Sequence, residues 1–225
     1  MAHLMYSKKA AKVMQGYAST HCSPEAAQQL MDKTRQIYRS FLSDLPELGG
    51  RKNYQAQSVY DCIGLFALYE AADPKPELPE FEALVSRIFV PGFRLPFFYN
   101  MNWRPIQKIA QGIFSRLSRK SLRNRQQWPG NYHMEVEPYD PRIGIRYRFT
   151  TCPIADFAKA HGYTHLMPAM CNPDYPTLAA MRAGLIRTRT CARDDCCDYW
   201  ILGDQDPQLD QHPPYTDEYG FLKNK

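Results

Sequence analysis

The chain has 225 residues, with 44% hydrophobic and 23% charged residues and a formal net charge of +5 at pH 7. That length suits one domain with a sizeable core, and the composition excludes wholesale disorder. No window reaches the eighteen or so uninterrupted apolar residues of a membrane span, and Met1 to Lys9 lacks the apolar stretch of a signal peptide, so no membrane partner and a cytoplasmic location are expected.

Ser23-Pro24-Glu25 is a helix start with a capping hydroxyl, a first-turn proline and an early acid, and Leu30, Ile37, Phe41 and Leu42 supply an apolar stripe. This predicts a helix over 24–44 that stops near Leu45-Pro46, before the turn at Gly49-Gly50. A second helix is predicted from Tyr54 to Ala71. The proline-rich stretch from Asp73 to Pro79 reads as a connector, and Phe81, Leu84, Val85, Ile88 and Phe89 then recur at helical spacing. A fourth helix is predicted over 105–125, with Ile106, Ile109, Ile113, Phe114 and Leu117 on one face. Its Arg116, Arg119, Lys120, Arg123 and Arg125 read as a solvated face. Aromatic platforms are not interleaved with these charges, so nucleic acid is not the expected partner.

The pattern changes after Trp128-Pro129-Gly130. Alternation over 132–137 and again over 143–149 predicts two half-buried strands in a hairpin, with Glu and Arg side chains facing each other on the polar side. A second hairpin is predicted around Arg193-Asp194-Asp195. Pairing Ala192 with Cys197 would set Thr190 opposite Tyr199 and put Arg187 on the face away from Cys197, and a one-residue slip would reverse those faces. The expected fold class is α+β, with N-terminal helices packed on a small, mainly antiparallel sheet and short helices. Within a single domain over 1–225, 1–128 is the helical part, 129–204 the α+β part and 205–225 an irregular tail.

Seven cysteines in no secreted-framework spacing point to free thiols. Cys152 falls where a strand hands to a helix opened by Pro153, and that helix should end near His161-Gly162. Backbone N–H groups at a helix start favour thiolate, which would suit Cys152 as a nucleophile or metal ligand. Asp174, after Met170-Cys171-Asn172-Pro173, is either a cap for a helix reaching Ala183 or a carboxylate aimed into a cleft beside Cys171. Cys62, within an apolar helix, reads as an inert core residue. Cys196 and Cys197 should point to opposite faces of a strand. Cys152, Cys171, Cys197 and Asp174 would also make a chemically acceptable zinc set, although their spacing matches no familiar zinc site. No cofactor is favoured, and zinc is the alternative. His133, His161 and His165 sit in no nucleophile motif and read as structural or surface residues.

Three stretches, Tyr147-Arg148-Phe149-Thr150-Thr151-Cys152-Pro153-Ile154, Met170-Cys171-Asn172-Pro173-Asp174 and the run from Arg187 to Tyr199, resemble the L-2-amino-thiazoline-4-carboxylic acid hydrolase family. The turn from Leu45 to Asn53 is similar to that family as well. The resemblance implies a hydrolase that opens a small cyclic amidine or thiazoline ring at a carbon–nitrogen bond. By the same resemblance the catalytic candidates are Cys152, Asp174, Cys171 and Cys197, with Cys152 as nucleophile and Asp174 as base or amidine anchor. Asn53, Arg187, Thr190 and Tyr199 are its substrate-binding candidates, Arg187 for a substrate carboxylate. The final turn has Arg193-Asp194-Asp195 where relatives commonly have glycine. The alternative function is a small-molecule-binding or sensor domain with a structural zinc held by cysteines. The expected partner is a small-molecule substrate, and a homo-oligomer is compatible with the sequence.

Overall fold

A computed structural model describes residues 4–92 and 99–225. Met1, Ala2 and His3, on which part of the signal-peptide expectation rests, lie outside the described residues. Five helices come first: α1 (Lys8–His21), α2 (Pro24–Asp44), α3 (Gln57–Ala71), α4 (Leu78–Phe89) and α5 (Arg104–Gln127). None in the described chain is long and apolar enough to cross a membrane.

The α2 helix has the predicted bounds, and Ser23 Oγ accepts the Ala26 N–H at its start. The predicted helix from Tyr54 begins at Gln57 instead, because Asn53 caps a separate 3-10 turn over Tyr54–Ala56. Nearly every face of α3 is buried, which makes it the centre of the helical layer. The sequence reading missed α1. Its apolar stripe uses small residues, Ala10 and Ala18, beside Met14 and Tyr17, and its start is secured from a distance. Asp61 on α3 accepts from the Ser7 backbone N–H at 2.6 Å and from its hydroxyl at 2.9 Å. On α5 the expected single apolar face splits. Ile106, Phe114 and Leu117 pack on the sheet, whereas Ile109 and Ile113 are exposed. The basic run is also partly tied down: Arg125 donates to the Asn131 carbonyl and to Thr151 Oγ1, and Lys120 lies over the Tyr54 ring.

The sheet contains β1 (His133–Val136), β2 (Ile145–Thr151), β3 (Ala183–Ile186) and β4 (Cys197–Gly203), in the order β1-β2-β4-β3, all antiparallel. The α+β expectation holds. In the first hairpin Glu135 pairs with Arg148 in register, and their side chains meet at 2.7 Å on the outer face. The second hairpin differs from the reading. Ile186 pairs with Trp200 and Leu185 with Ile201, which shifts the register by three residues and leaves 187–196 as a loop. Successive side chains alternate between faces, so an odd shift exchanges them.

Between the hairpins lie α6 (Pro153–Ala160), a 3-10 turn (Thr164–Leu166), α7 (Met167–Cys171) and α8 (Asp174–Ala179). The tail over 205–225 is not irregular. It forms α9 (Gln208–Gln211) and a hairpin of β5 (Pro214–Thr216) with β6 (Leu222–Asn224), and Phe221 is completely buried. One apolar cluster runs from Ala10 on α1 through α3 and α6 to Phe221, so helices, sheet and tail share a core.

Candidate active site

Helices α3 and α5, the inner sheet face and the α6–α8 segment line a cleft of about 440 Å³. Tyr147 and Phe149 from β2 and Tyr199 from β4 form its aromatic floor, with the Tyr147 and Tyr199 rings stacked at 4.6 Å. Cys152 enters as the N-cap of α6, Cys171 at the end of α7, and Cys197 as the first residue of β4. All three line the cavity, as does Asp174.

Asp174 opens α8 but makes no capping hydrogen bond, so its reading as a simple cap is overturned. The predicted helix to Ala183 ends at Ala179, and Ala183 starts β3. Asp174 Oδ2 instead accepts from Tyr199 Oη at 2.7 Å and from Arg187 Nη1 at 3.0 Å. Its side chain keeps 38% of its surface accessible, yet burial is the leading cause of a raised pKa, against the opposing pull of Arg187 and Tyr199. That accessible surface lies along the cavity, which Asp174 lines.

Arg187 is 0% exposed. Burial works to lower its pKa, and Tyr199, Asp174 and Cys171 outweigh it, so the guanidinium stays charged. Besides Asp174 it donates to the Cys171 carbonyl at 3.1 Å and, through Nη2, to the Leu222 carbonyl at 3.1 Å. The register shift explains the placement, since Arg187 follows Leu185 on the inner face. It is not on the opposite face, and it does not line the cavity as an open anchor for a substrate carboxylate. Arg187 positions Asp174.

The tail supplies a second layer. Asn224 Oδ1 accepts from the Arg187 backbone N–H at 3.0 Å and from Tyr175 Oη at 2.8 Å, while Asn172 bonds the Gly220 carbonyl and the Leu222 N–H. Two proposed substrate contacts do not reach the cavity. Asn53, 1% exposed, knits Leu48, Gln55, Asn124 and Asn131 together, and Thr190 sits in the 190–194 turn. Asp198, in the patterned Cys197-Asp198-Tyr199 run, secures the loop from the outer face by accepting from the Thr188 and Arg189 N–H groups.

Cys62 is a buried core residue on α3, as read, and it also touches the cavity wall. An apolar helical context hid that contact, because only the tertiary fold shows which side of α3 is hollow. Gln55, Ser58 and Tyr132, also unanticipated, add polar atoms, and the Ser58 and Tyr132 hydroxyls lie 3.3 Å apart. Cys196 lies outside the cavity, and burial pushes its thiol up to about 11. His133, His161 and His165 are likewise outside, bonded to Thr150, Asp44 and Tyr69 respectively.

The expected resting thiolate is corrected. Burial, followed by neighbouring Cys197, raises the Cys152 pKa well above the ordinary thiol value, and the Ala155 and Ile154 amides only partly oppose it. Burial also raises Cys62 and Cys171. At Cys197 the larger cause is the Cys191 side chain, with burial second. All seven cysteines are free. Among the described residues no three His, Cys, Asp or Glu side chains are grouped so that they could hold a metal ion.

Neither the curated proteins nor the solved structures contain a match to the chain. The family model described as L-2-amino-thiazoline-4-carboxylic acid hydrolase matches residues 97–201. That span takes in Cys152, Cys171, Asp174, Arg187 and Cys197 and leaves out Cys62, Asn53 and the tail hairpin. The part of the chain that carries the cavity's sheet residues, three of its four thiols and its carboxylate is thus the part that matches the L-2-amino-thiazoline-4-carboxylic acid hydrolase family.

Proposed function

We propose that the protein hydrolyses a carbon–nitrogen bond of a small cyclic amidine or thiazoline-type ring, with Cys152 as nucleophile and Asp174 as amidine anchor or base. The observation that carries this reading is the shared cavity. Cys152 sits at a helix start on its wall, and Asp174 has one oxygen fixed by Arg187 and Tyr199 and no hydrogen bond on Oδ1. That oxygen can accept from an amidine N–H or take a proton from water.

Because Cys152 rests as a thiol, its proton must leave during attack. Sγ bonds to the ring carbon between sulfur and nitrogen as the thiol proton passes to the ring nitrogen. The bond from that carbon to the ring nitrogen then breaks, the freed amine taking a proton from the exocyclic amino group, and water adds to the resulting imino carbon and expels Cys152 Sγ, the water's second proton restoring the thiol. Enclosure by Phe149, Tyr199 and Met170 limits water around the ring while Asp174 orients it.

A second reading, a ligand-binding domain without turnover, is supported by the raised pKa values of the four cavity thiols, none of which is activated at rest. The two readings separate when purified protein is incubated with a panel of 2-amino-thiazolines and the products are followed by mass. A gain of one water with ring opening is the expected result. Binding of the panel with every ring intact would contradict hydrolysis and leave the binding domain.

A further inference from the structure

Helix α5 has two faces of different chemistry. The inner one packs on the sheet through Ile106, Phe114 and Leu117, and Ser118 and Ser121 donate to the Met134 and Tyr132 carbonyls. On the outer one Ile109, Ile113, Arg116, Lys120 and Arg123 follow at intervals of four, three, four and three residues, which lays them in a single stripe. Ile109 and Ile113 are 60% and 50% exposed. Tyr54, 56% exposed, joins the stripe from the side, with the Lys120 ammonium over its ring. Single apolar residues on a surface are ordinary, but two isoleucines one turn apart on a stripe that an open tyrosine joins form a patch.

The charge around the patch has one sign. From Arg104 to Gln127 the helix carries no Asp or Glu, and Lys108, Arg116, Arg119 and Arg123 are exposed. Among the described residues none of these four forms an ion pair. Residues 1–3 and 93–98 contain no acid that could supply one. A second copy docked through the same face would set arginine against arginine. Nucleic acid would meet the cations and gain nothing from the isoleucines. An anionic bilayer surface suits both: headgroup phosphates take the cations, while aliphatic side chains and a tyrosine enter the boundary between headgroups and acyl chains.

We infer that the outer face of α5 docks on the surface of an anionic phospholipid bilayer, with Ile109 and Ile113 inserted among the headgroups and Arg116, Arg119 and Arg123 against their phosphates. The contact is interfacial and runs about 21 Å along the helix from Ile109 to Arg123. The expectation of no membrane partner came from the lack of a spanning segment, which has no bearing on a peripheral contact. The inference is independent of the hydrolase reading. Phe114 and Leu117, which line the cleft, lie on the opposite side of the helix, so changes on the outer face leave the cleft walls in place.

The test is co-sedimentation of the full wild-type chain with vesicles of phosphatidylcholine alone or with about 30% phosphatidylserine. Binding to the anionic vesicles should be at least about tenfold tighter than to the neutral ones and should weaken as salt rises. The paired changes Ile109→Ser and Ile113→Ser, at exposed positions, should weaken it at least about fivefold. Arg116→Glu with Arg119→Glu should weaken it at least about tenfold. Lys8→Glu with Lys12→Glu, equally exposed but on α1, should leave it within about twofold of wild type. Absent binding, equal binding to neutral vesicles, or binding that survives the isoleucine changes overturns the inference. An equal loss with the α1 pair also overturns it, because net charge alone would then account for the binding. So does a dimer that the isoleucine changes abolish, or capture of a single-stranded oligonucleotide that the arginine pair abolishes, if either occurs without vesicle binding. The two lipid compositions are compared on the wild-type chain, so that arm stands whatever the variants do.

Discussion

The helical layer and the sheet half hold themselves together in different ways. Around α3 the interior is almost wholly apolar, with Ile63, Leu65, Phe66 and Leu68 at 0% exposure. The Phe66 ring stacks on Phe81, Phe157 and Tyr163. The sheet half has an apolar cluster of its own, with Met134, Ile145, Leu185 and Ile201, and adds to it a buried guanidinium, Arg187, whose partners come from α7, α8 and β6. Apolar packing tolerates small losses one at a time, whereas a buried ion pair fails as a unit when one member is removed.

The largest expected effect follows from Arg187→Ala. It removes a completely buried charge, leaves two carbonyls without a donor and frees Asp174, so stability should fall by about 3–5 kcal/mol in denaturant titrations. Ligand affinity should fall in whatever folds. A loss below about 1 kcal/mol would mean that the sheet half does not depend on this pair.

Alkaline pH should come next. Cys62, Cys152, Cys171 and Cys197 all have folded-state pKa values above the ordinary thiol value of 9.0, so the unfolded chain ionises first. Stability contributed by keeping these thiols protonated is present below pH 9 and is lost as pH rises beyond it. Thermal melts across that range should show the decline, and alkylation of Cys152 by iodoacetamide should be slow at pH 7 and accelerate with alkalinity. Rapid alkylation at neutral pH would restore the thiolate that burial argues against.

In the helical layer Ile63→Val should cost about 1 kcal/mol and leave ligand affinity unchanged, because the lost methyl group belongs to the apolar interior and not to the cavity wall. The smallest effect belongs to Arg148→Ala. Its pair with Glu135 is half exposed on the outer sheet face and screened by solvent, so the loss should be the smallest of the set in denaturant titrations and shrink with added salt.

This contrast also explains what was legible in the sequence. Helix α2, the strand alternation and the Cys152 cap follow from local rules: a capping serine, a first-turn proline, a period of two. The register of the second hairpin does not, because 187–196 is a loop held by Asp198 and the Thr190 turn, and no two-residue turn signal marks it. That error had moved Arg187 to the wrong face. Asn53 is a ligand contact by resemblance alone, and its structural role stays hidden in the sequence because its partners, Asn124 and Asn131, are more than seventy residues away. Asn224 and Leu222 were invisible for the same reason: their work is to bond Arg187 across 35 residues or more. Cys62 required knowledge of a hollow beside α3 that no periodicity encodes.

The most direct test of the account is a pair of single-cysteine changes, Cys152→Ala inside the cavity and Cys196→Ala outside it, assayed for ring opening on the best thiazoline of the panel. The expected result is a loss of at least about 100-fold in kcat/KM for Cys152→Ala, with its fold intact by circular dichroism, against near wild-type turnover for Cys196→Ala. Unchanged turnover in Cys152→Ala would remove that residue from the chemistry and contradict the mechanism at its first step.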